Sequence, residues 1–444
     1  MEAASDGTTA EGRSLQVSLV RKSMFNMLGT IFMQGLAALI GIVLARLLGP
    51  DGIGQYQLAL TSSMLLTTFL ASGVGQAMIF SLNNLKADPS VVISTGGSYA
   101  VITGSLIAIV VYYILHFPYF GALSEIAIIA VSLHTLALSV IMVLAQYFIA
   151  KLEIKKNIVL MTLPKVLILS MVTAGIFLWN VDVTFALAAQ AVGYLGGLVA
   201  LVYLLRKVIH IKPPSLSILK TMLQLGAGFS FSILIYMLDI NIALMLIRFF
   251  LDDFSLIGYY GRAVAVAGML LFIPKSIGPL LYSKWSGVST DQRKHQVELA
   301  TRLLLLLGIA ISLVLILGAK WIIILMYTKE FMRSVLPLRI LILAVFCRFL
   351  MSPLNQLFAS VGKPFFMGLT VFIGLLIMVI FMLFLIPYYS VEGAAISVLA
   401  GNIASLVFGF ALARQKYQIS ISRCFQITSN DLLLLWRNVM VRSS

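Results

Sequence analysis

Twelve apolar runs, each of roughly twenty residues or more, follow one another along this chain of 444 residues. They cover approximately 23–46, 56–81, 92–116, 123–148, 157–179, 183–205, 224–250, 256–283, 300–318, 335–360, 365–387 and 391–413. At about 1.5 Å rise per residue, twenty residues of helix span the roughly 30 Å hydrocarbon core of a bilayer. In lipid every backbone polar group must find its partner within the segment, so such runs are helices. The pattern predicts an all-α polytopic membrane protein of twelve transmembrane helices. Composition agrees: 61% of residues are hydrophobic and 11% charged, where soluble domains carry roughly 45–50% and about 25%.

The net charge of +15 would suggest a nucleic-acid partner in a soluble protein. Here it sets topology, because cytoplasmic loops collect Lys and Arg. With both termini inside, 21 of the 31 Lys and Arg fall in inner loops and tails, and five (Arg46, Arg248, Lys320, Lys329 and Arg333) in outer ones. The expected order is a cytoplasmic segment 1–22, an N-lobe of helices 1–6 over 23–210, and a cytoplasmic linker 211–223 with Pro213-Pro214. A C-lobe of helices 7–12 over 224–413 and a cytoplasmic tail 414–444 follow. The tail ends in "SNDLLLLWRNVMVRSS", where Ser429 or Asn430 can cap a short interfacial helix carrying Trp436. Cys347 and Cys424 suggest no disulfide framework. The first apolar run is long enough to remain in the membrane, so no cleaved leader is expected. No G-x-x-x-x-G-K-[ST] occurs, so no ATPase is encoded.

A weak internal repeat runs through the chain. Arg46, followed by Gly54-Gln55-Tyr56, recurs as Arg248, followed by Gly258-Tyr259-Tyr260. Gln146-Tyr147-Phe148 recurs as Gln356-Leu357-Phe358, and Val183–Arg206 aligns with Val391–Arg414. The three offsets, 202, 210 and 208 residues, are nearly equal and keep one order. Six helices separate the copies, an even number, so the halves are parallel repeats about an axis along the membrane normal, with substrate expected in a cavity between them.

These residues carry a resemblance. The stretch "SLVRKSMFNMLGTIFMQGLAALIGIVLARLLGPDGIGQYQLAL", with its R-x-LGP-x-x-x-G-x-Y core, resembles an oligosaccharide flippase of the Wzx type. The same superfamily holds lipid II flippases and multidrug and toxin extruders. "IRFFLDDFSLIGYYGRA" and the proline-bearing "FIPKSIGPLLYSKWS" support the resemblance, which covers roughly 15–415. It implies a non-enzymatic transporter of the bacterial or archaeal cytoplasmic membrane, working by alternating access. The cargo it implies is an undecaprenyl-pyrophosphate-linked oligosaccharide for surface polysaccharide such as O-antigen. Implied partners are that lipid-linked oligosaccharide, membrane lipids, and polysaccharide polymerase and chain-length proteins, with no nucleic acid. No cofactor or metal is implied, and coupling to Na+ or H+ stays open.

Six charged residues lie at bilayer depth, inside the runs rather than at their ends: Lys165, Asp239, Arg262, Lys275, Arg339 and Arg348. Each costs about 2.5–3.5 kcal/mol at bilayer depth on insertion scales, so such groups face protein or water. Five cations around an aqueous cavity would attract an anionic ligand, and Arg can grip a phosphate through two parallel hydrogen bonds. The candidate substrate-binding residues are therefore Arg348, Lys165, Lys275 and Arg262, with Arg46 and Arg248 as a paired outer gate. Asp239 is the candidate ion-coupling residue. The plainer readings are snorkelling for Arg339, Lys275 and Arg262, and interfacial anchoring for Arg46 and Arg248. Asp239 could also serve only to neutralise a cation. Thirteen residues separate Arg262 from Lys275, about 140° around an idealised helix, which argues against a two-residue phosphate clamp. Asn26, Gln34, Gln76, Gln146, Gln190, Asn241, Asn355, Gln356 and Asn402 serve packing or sugar binding, packing being the commoner role for any one of them.

Two other functions compete. The same fold could export small molecules, although five cations speak against a cationic cargo. A membrane glycosyltransferase or polymerase would need carboxylates outside the membrane, such as Asp51 or Asp252-Asp253, but these sit in loops of about ten residues, where turn and cap roles suffice.

Overall fold

The computed structural model describes residues 5–206, 208 and 212–426. The tail helix expected around Trp436 lies outside the described residues, as do the side chains of Arg13, Arg21, Lys22 and Asn26. The described residues form thirteen α-helices in order: α1 (Ser5–Asn83), α2 (Pro89–Leu115), α3 (Glu125–Leu144), α4 (Gln146–Ala150), α5 (Ile154–Leu178), α6 (Val183–Leu205), α7 (Leu216–Phe250), α8 (Phe254–Gly268), α9 (Phe272–Ser286), α10 (Thr290–Met326), α11 (Val335–Ser360), α12 (Phe365–Tyr417) and α13 (Ile421–Phe425). No strand occurs among the described residues.

Among the described residues, ten helical stretches are long and apolar enough to cross a membrane. Two of them run to 56 and 53 residues, far beyond one bilayer thickness, and each is broken near its middle. In α1 the break is Gly49, at φ 66 and ψ −176, followed by Pro50, which lacks an N–H and crowds the preceding turn. In α12 it is Ser390, at φ 52 and ψ −133, three residues after Pro387. Counting each broken helix as two crossings recovers the twelve expected from sequence. Start signals are local: the Asp88 side chain accepts from the Ser90 N–H at 2.9 Å, with Pro89 in the first turn, and Asp182 accepts from the Phe185 N–H at 2.7 Å.

Boundaries differ where water replaces lipid. The run expected over 300–318 belongs to a helix of 37 residues, because "TDQRKHQVELATR" continues it as a polar extension. The run 256–283 divides into α8 and α9 around a 3-10 turn at Met269–Leu271, just ahead of Pro274. Outward faces are apolar, as lipid demands: Phe177, Leu317 and Leu325 are largely exposed, with Trp179, Trp321 and Tyr388 near helix ends as an aromatic belt.

The chain forms two compact units. The first takes residues up to Leu48 and Gln55–Leu234, the second Gly49–Gly54 and Ile235 onward. α7 thus changes unit between Leu234 and Ile235. The first core gathers Val74, Met78, Val143, Phe148 and Leu201. The second gathers Trp285, Leu354, Phe358, Phe410 and Cys424.

The repeat reappears as repeated contacts. In the first unit a Cβ on Gly75 would fall 3.1 Å from Cγ of Gln146, and in the second a Cβ on Gly278 would fall 2.9 Å from Nε2 of Gln356. Gly193 lies against the Pro164 carbonyl in the first unit, and Gly401 against the Gly374 carbonyl in the second. Tyr194 packs edge-to-face on His134, centroids 4.5 Å apart, while Asn402, 208 residues further on, donates to the Ala344 carbonyl at 3.0 Å. Within the second unit, Gly49–Gly54 of the first copy meets Phe254 and Gly258 of the second reciprocally. A Cβ on Gly54 would fall 1.9 Å from the Phe254 carbonyl oxygen, and one on Gly258 would fall 2.0 Å from that of Pro50. Only glycine allows these backbones so close.

Candidate functional site

Arg348 lies near the middle of α11, in a segment where a charge cannot easily reach water beyond the lipid. Two neighbouring helices supply its partners. From α12 the side-chain oxygen of Asn402 accepts from Nε at 2.8 Å, and from α7 Oδ2 of Asp239 accepts from Nη2 at 2.5 Å. The Asn402 amide is itself tied, through the Ala344 carbonyl, to a point one turn before Arg348. The guanidinium is therefore aimed before any ligand arrives. Side-chain exposure is 24% for Arg348 and 10% for Asp239, so the pair is largely withdrawn from solvent, where its attraction is screened little.

The pair opens on a cavity of about 580 Å³ inside the second unit. This is within the range of about 300–1,000 Å³ that holds small-molecule ligands. Two helical stripes wall it. On α11, Arg348, Ser352 and Asn355 stand at i, i+4 and i+7; on α9, Lys275, Pro279 and Tyr282 repeat that spacing. Gly278 brings α9 close enough for its backbone to lie against Gln356. Tyr236 and Asp239 come from α7, Thr370 from the first part of α12, and Asn402 and Ser405 from its second part. Oδ1 of Asn355 is buried with no hydrogen-bond partner, so this oxygen is not committed to the fold.

Of the residues singled out from sequence, Asp239, Lys275 and Arg348 are brought together at this cavity. The others lie elsewhere. Arg262, on α8, is buried with its guanidinium 5.8 Å from the Tyr327 ring centroid, and it does not line the cavity with Lys275. Lys165, half-buried on α5 of the first unit, donates from Nζ to the Met161 carbonyl at 3.1 Å. Arg248, buried at the end of α7, pairs with Asp252 and stacks 4.2 Å over the Phe254 ring. Arg46 is exposed, so the two repeat-related arginines occupy unlike environments. Arg339 donates to the Ile316 carbonyl at 3.3 Å from an exposed position. Asn402, Asn355 and Gln356 were visible in the sequence as intramembrane amides. Tyr236, Ser352 and Tyr282 were not singled out; the i, i+4, i+7 spacing from Arg348 and from Lys275 would have found the last two.

A second, smaller groove lies between α2 and α3, walled by Ile109, Tyr113, Ile129, Leu133 and their neighbours. It carries almost no polar surface. At one end of α2, His116 donates from Nδ1 to the Tyr112 carbonyl at 2.8 Å and approaches Glu125 at 3.2 Å. Together these hold the imidazole's proton, raising its pKa above the ordinary value. Asp88, at the other end of α2, is held below the usual carboxylate range, first by its hydrogen bond from Lys212 and then by the Ser90 N–H. No group of three or more His, Cys, Asp and Glu residues placed to bind a metal occurs among the described residues.

The sequence pattern of the polysaccharide biosynthesis protein family matches residues 19–282. No curated protein matches the chain in sequence. Among solved structures, the lipid II flippase MurJ in its inward closed conformation superposes with a TM-score of 0.74 at 14% identity, over 94% of this chain and 93% of that one. A multidrug resistance MATE family transporter of the MOP superfamily, inward-facing, gives 0.71 at 16% identity, over 87% and 94%. A MOP superfamily transporter from Pyrococcus furiosus, described as having a binding pocket of reverse polarity, gives 0.62 at 16% over 90% and 95%. At such identities the likeness establishes the fold.

Proposed function

The chain belongs to the polysaccharide biosynthesis protein family, and on that premise we propose that it is a flippase for a lipid-linked oligosaccharide. It would carry undecaprenyl-pyrophosphate-linked repeat units from the cytoplasmic to the outer leaflet by alternating access, with both termini cytoplasmic. The observation that carries this reading is the cavity in which Arg348 and Lys275 converge. Arg348, fixed on one edge by Asn402, offers its remaining donors to a phosphate, and Lys275 adds a point charge. The amide and hydroxyl groups of Asn355, Gln356, Ser352 and Tyr282 on the same walls suit sugar hydroxyls. The prenyl chain would stay in lipid.

Asp239 is the proposed coupling group for Na+ or H+, being the one carboxylate among the cavity-lining residues. Lys165, Arg262, Arg46 and Arg248 would act along the route outside this cavity. A cationic drug finds no uncompensated carboxylate here, because Asp239 is committed to Arg348. This favours an anionic cargo over multidrug export. The test is a deletion strain: lipid-linked oligosaccharide should accumulate on the inner leaflet, and the intact gene should reverse it. Normal surface polysaccharide without accumulation would refute the proposal.

A further inference from the structure

The charge inside the cavity does not match its proposed ligand. Its lining holds two cations, Lys275 and Arg348, and one anion, Asp239, a net charge of one positive. A sugar–pyrophosphate–lipid diester carries two negative charges. Binding it with Asp239 in place would leave an excess anion in a poorly screened site, where uncompensated charge is costly. With Asp239 withdrawn, two cations face two anionic charges. Carboxylate and phosphate also compete for the same donors, since each offers paired oxygens to the guanidinium fork.

We propose that Asp239 holds, on Arg348, the place that the phosphate of the cargo takes, so that anion binding and release of Asp239 are one exchange. The supporting geometry is the division of partners. Asn402 fixes the Nε edge of Arg348 and is anchored to the backbone of the same helix, so it stays through the exchange. Asp239 comes from α7 and is the partner that leaves. It sits five residues past the point where α7 passes from the first unit into the second. In the unloaded protein the pair pins α7 to α11, and an anion on Arg348 unpins it. Cargo binding is thereby tied to the freedom of the helix that runs through both units.

The exchange rests on the anionic-cargo reading and is tested with inorganic pyrophosphate as probe, titrated into the purified full chain in nanodiscs. Removing an internal competitor raises the fraction of binding-competent protein. Asp239→Asn should therefore bind pyrophosphate about tenfold tighter than the wild type or more, within the usual span of site-to-site coupling. Arg348→Gln should lose most of the binding. A purely structural role for Asp239 would leave affinity unchanged or weaken it, and that result overturns the exchange while leaving the anion site standing. If neither wild type nor Asp239→Asn binds pyrophosphate, the anion reading fails and the exchange with it. Should Asp239→Asn not accumulate, Asp239→Ser carries the same expectation.

Discussion

Arg348 and Asp239 illustrate how a partly buried charge is tolerated at bilayer depth. Their stability signature is distinct from their ligand signature. Removing one member strands the other, whereas replacing both is far milder; the cost is about 3–5 kcal/mol for a fully buried pair and less for this partly buried one. Arg348→Gln should therefore lower the melting temperature more than the double variant Asp239→Asn/Arg348→Gln. A double variant less stable than the single one would contradict the pairing. His116 makes a separate prediction. Its pKa is raised by the Tyr112 carbonyl and by Glu125, so the contact contributes fully below the ordinary imidazole value of about 6.5 and fades as pH rises through the raised one. The melting-temperature loss caused by Glu125→Gln should be larger at about pH 6 than at about pH 8, by the same linkage. Sequence alone marked Arg348, Asp239 and Lys275 as charges in apolar runs. It could not pair them, because 109 residues separate Asp239 from Arg348 and no local period encodes that contact. The cations it could not place, such as Arg262 beneath Tyr327, look the same in sequence as those at the cavity.

At the scale of elements, the breaks and close approaches make the sharpest predictions. Gly49 occupies a backbone region (φ 66, ψ −176) essentially reserved for glycine. Gly49→Ala should cost about 1–3 kcal/mol. Ser390 holds a positive φ without being glycine, so Ser390→Gly should raise the melting temperature; a fall would mean that its side chain matters more than its backbone. Gly54→Ala and Gly258→Ala would drive a Cβ into a facing carbonyl, and both should destabilise strongly. Gly228→Ala in α7 meets no atom within 4 Å and should be neutral or stabilising by up to about 1 kcal/mol through helix propensity. Equal effects at all three glycines would contradict the close-approach account. The twelve crossings were legible because apolar length decides them. The exact ends were not, since the polar extension of α10 and the 3-10 turn before α9 answer to water and proline rather than to hydrophobicity.

For the whole molecule, the repeat read from three short matches returns as matched contacts in both units: glutamine over glycine, glycine against carbonyl, and helix against helix at Tyr194 and Asn402. The duplication is one of packing more than of chemistry. The Arg348–Asp239 cavity belongs to the second unit alone, and where the second unit has Asn402 near Arg348, the first has Tyr194 and His134. A repeat detected in sequence could not announce that asymmetry, because the residues that align are those that pack. The proposed transport is the movement of an anionic lipid-linked sugar across a bilayer. It is tested most directly in proteoliposomes loaded with a fluorescent undecaprenyl-pyrophosphate-linked oligosaccharide and exposed to a membrane-impermeant glycosidase. The inner-leaflet pool, protected in empty liposomes, should become cleavable when the protein is present and stay protected with Arg348→Gln. A protected pool that the wild-type protein leaves unchanged would contradict it.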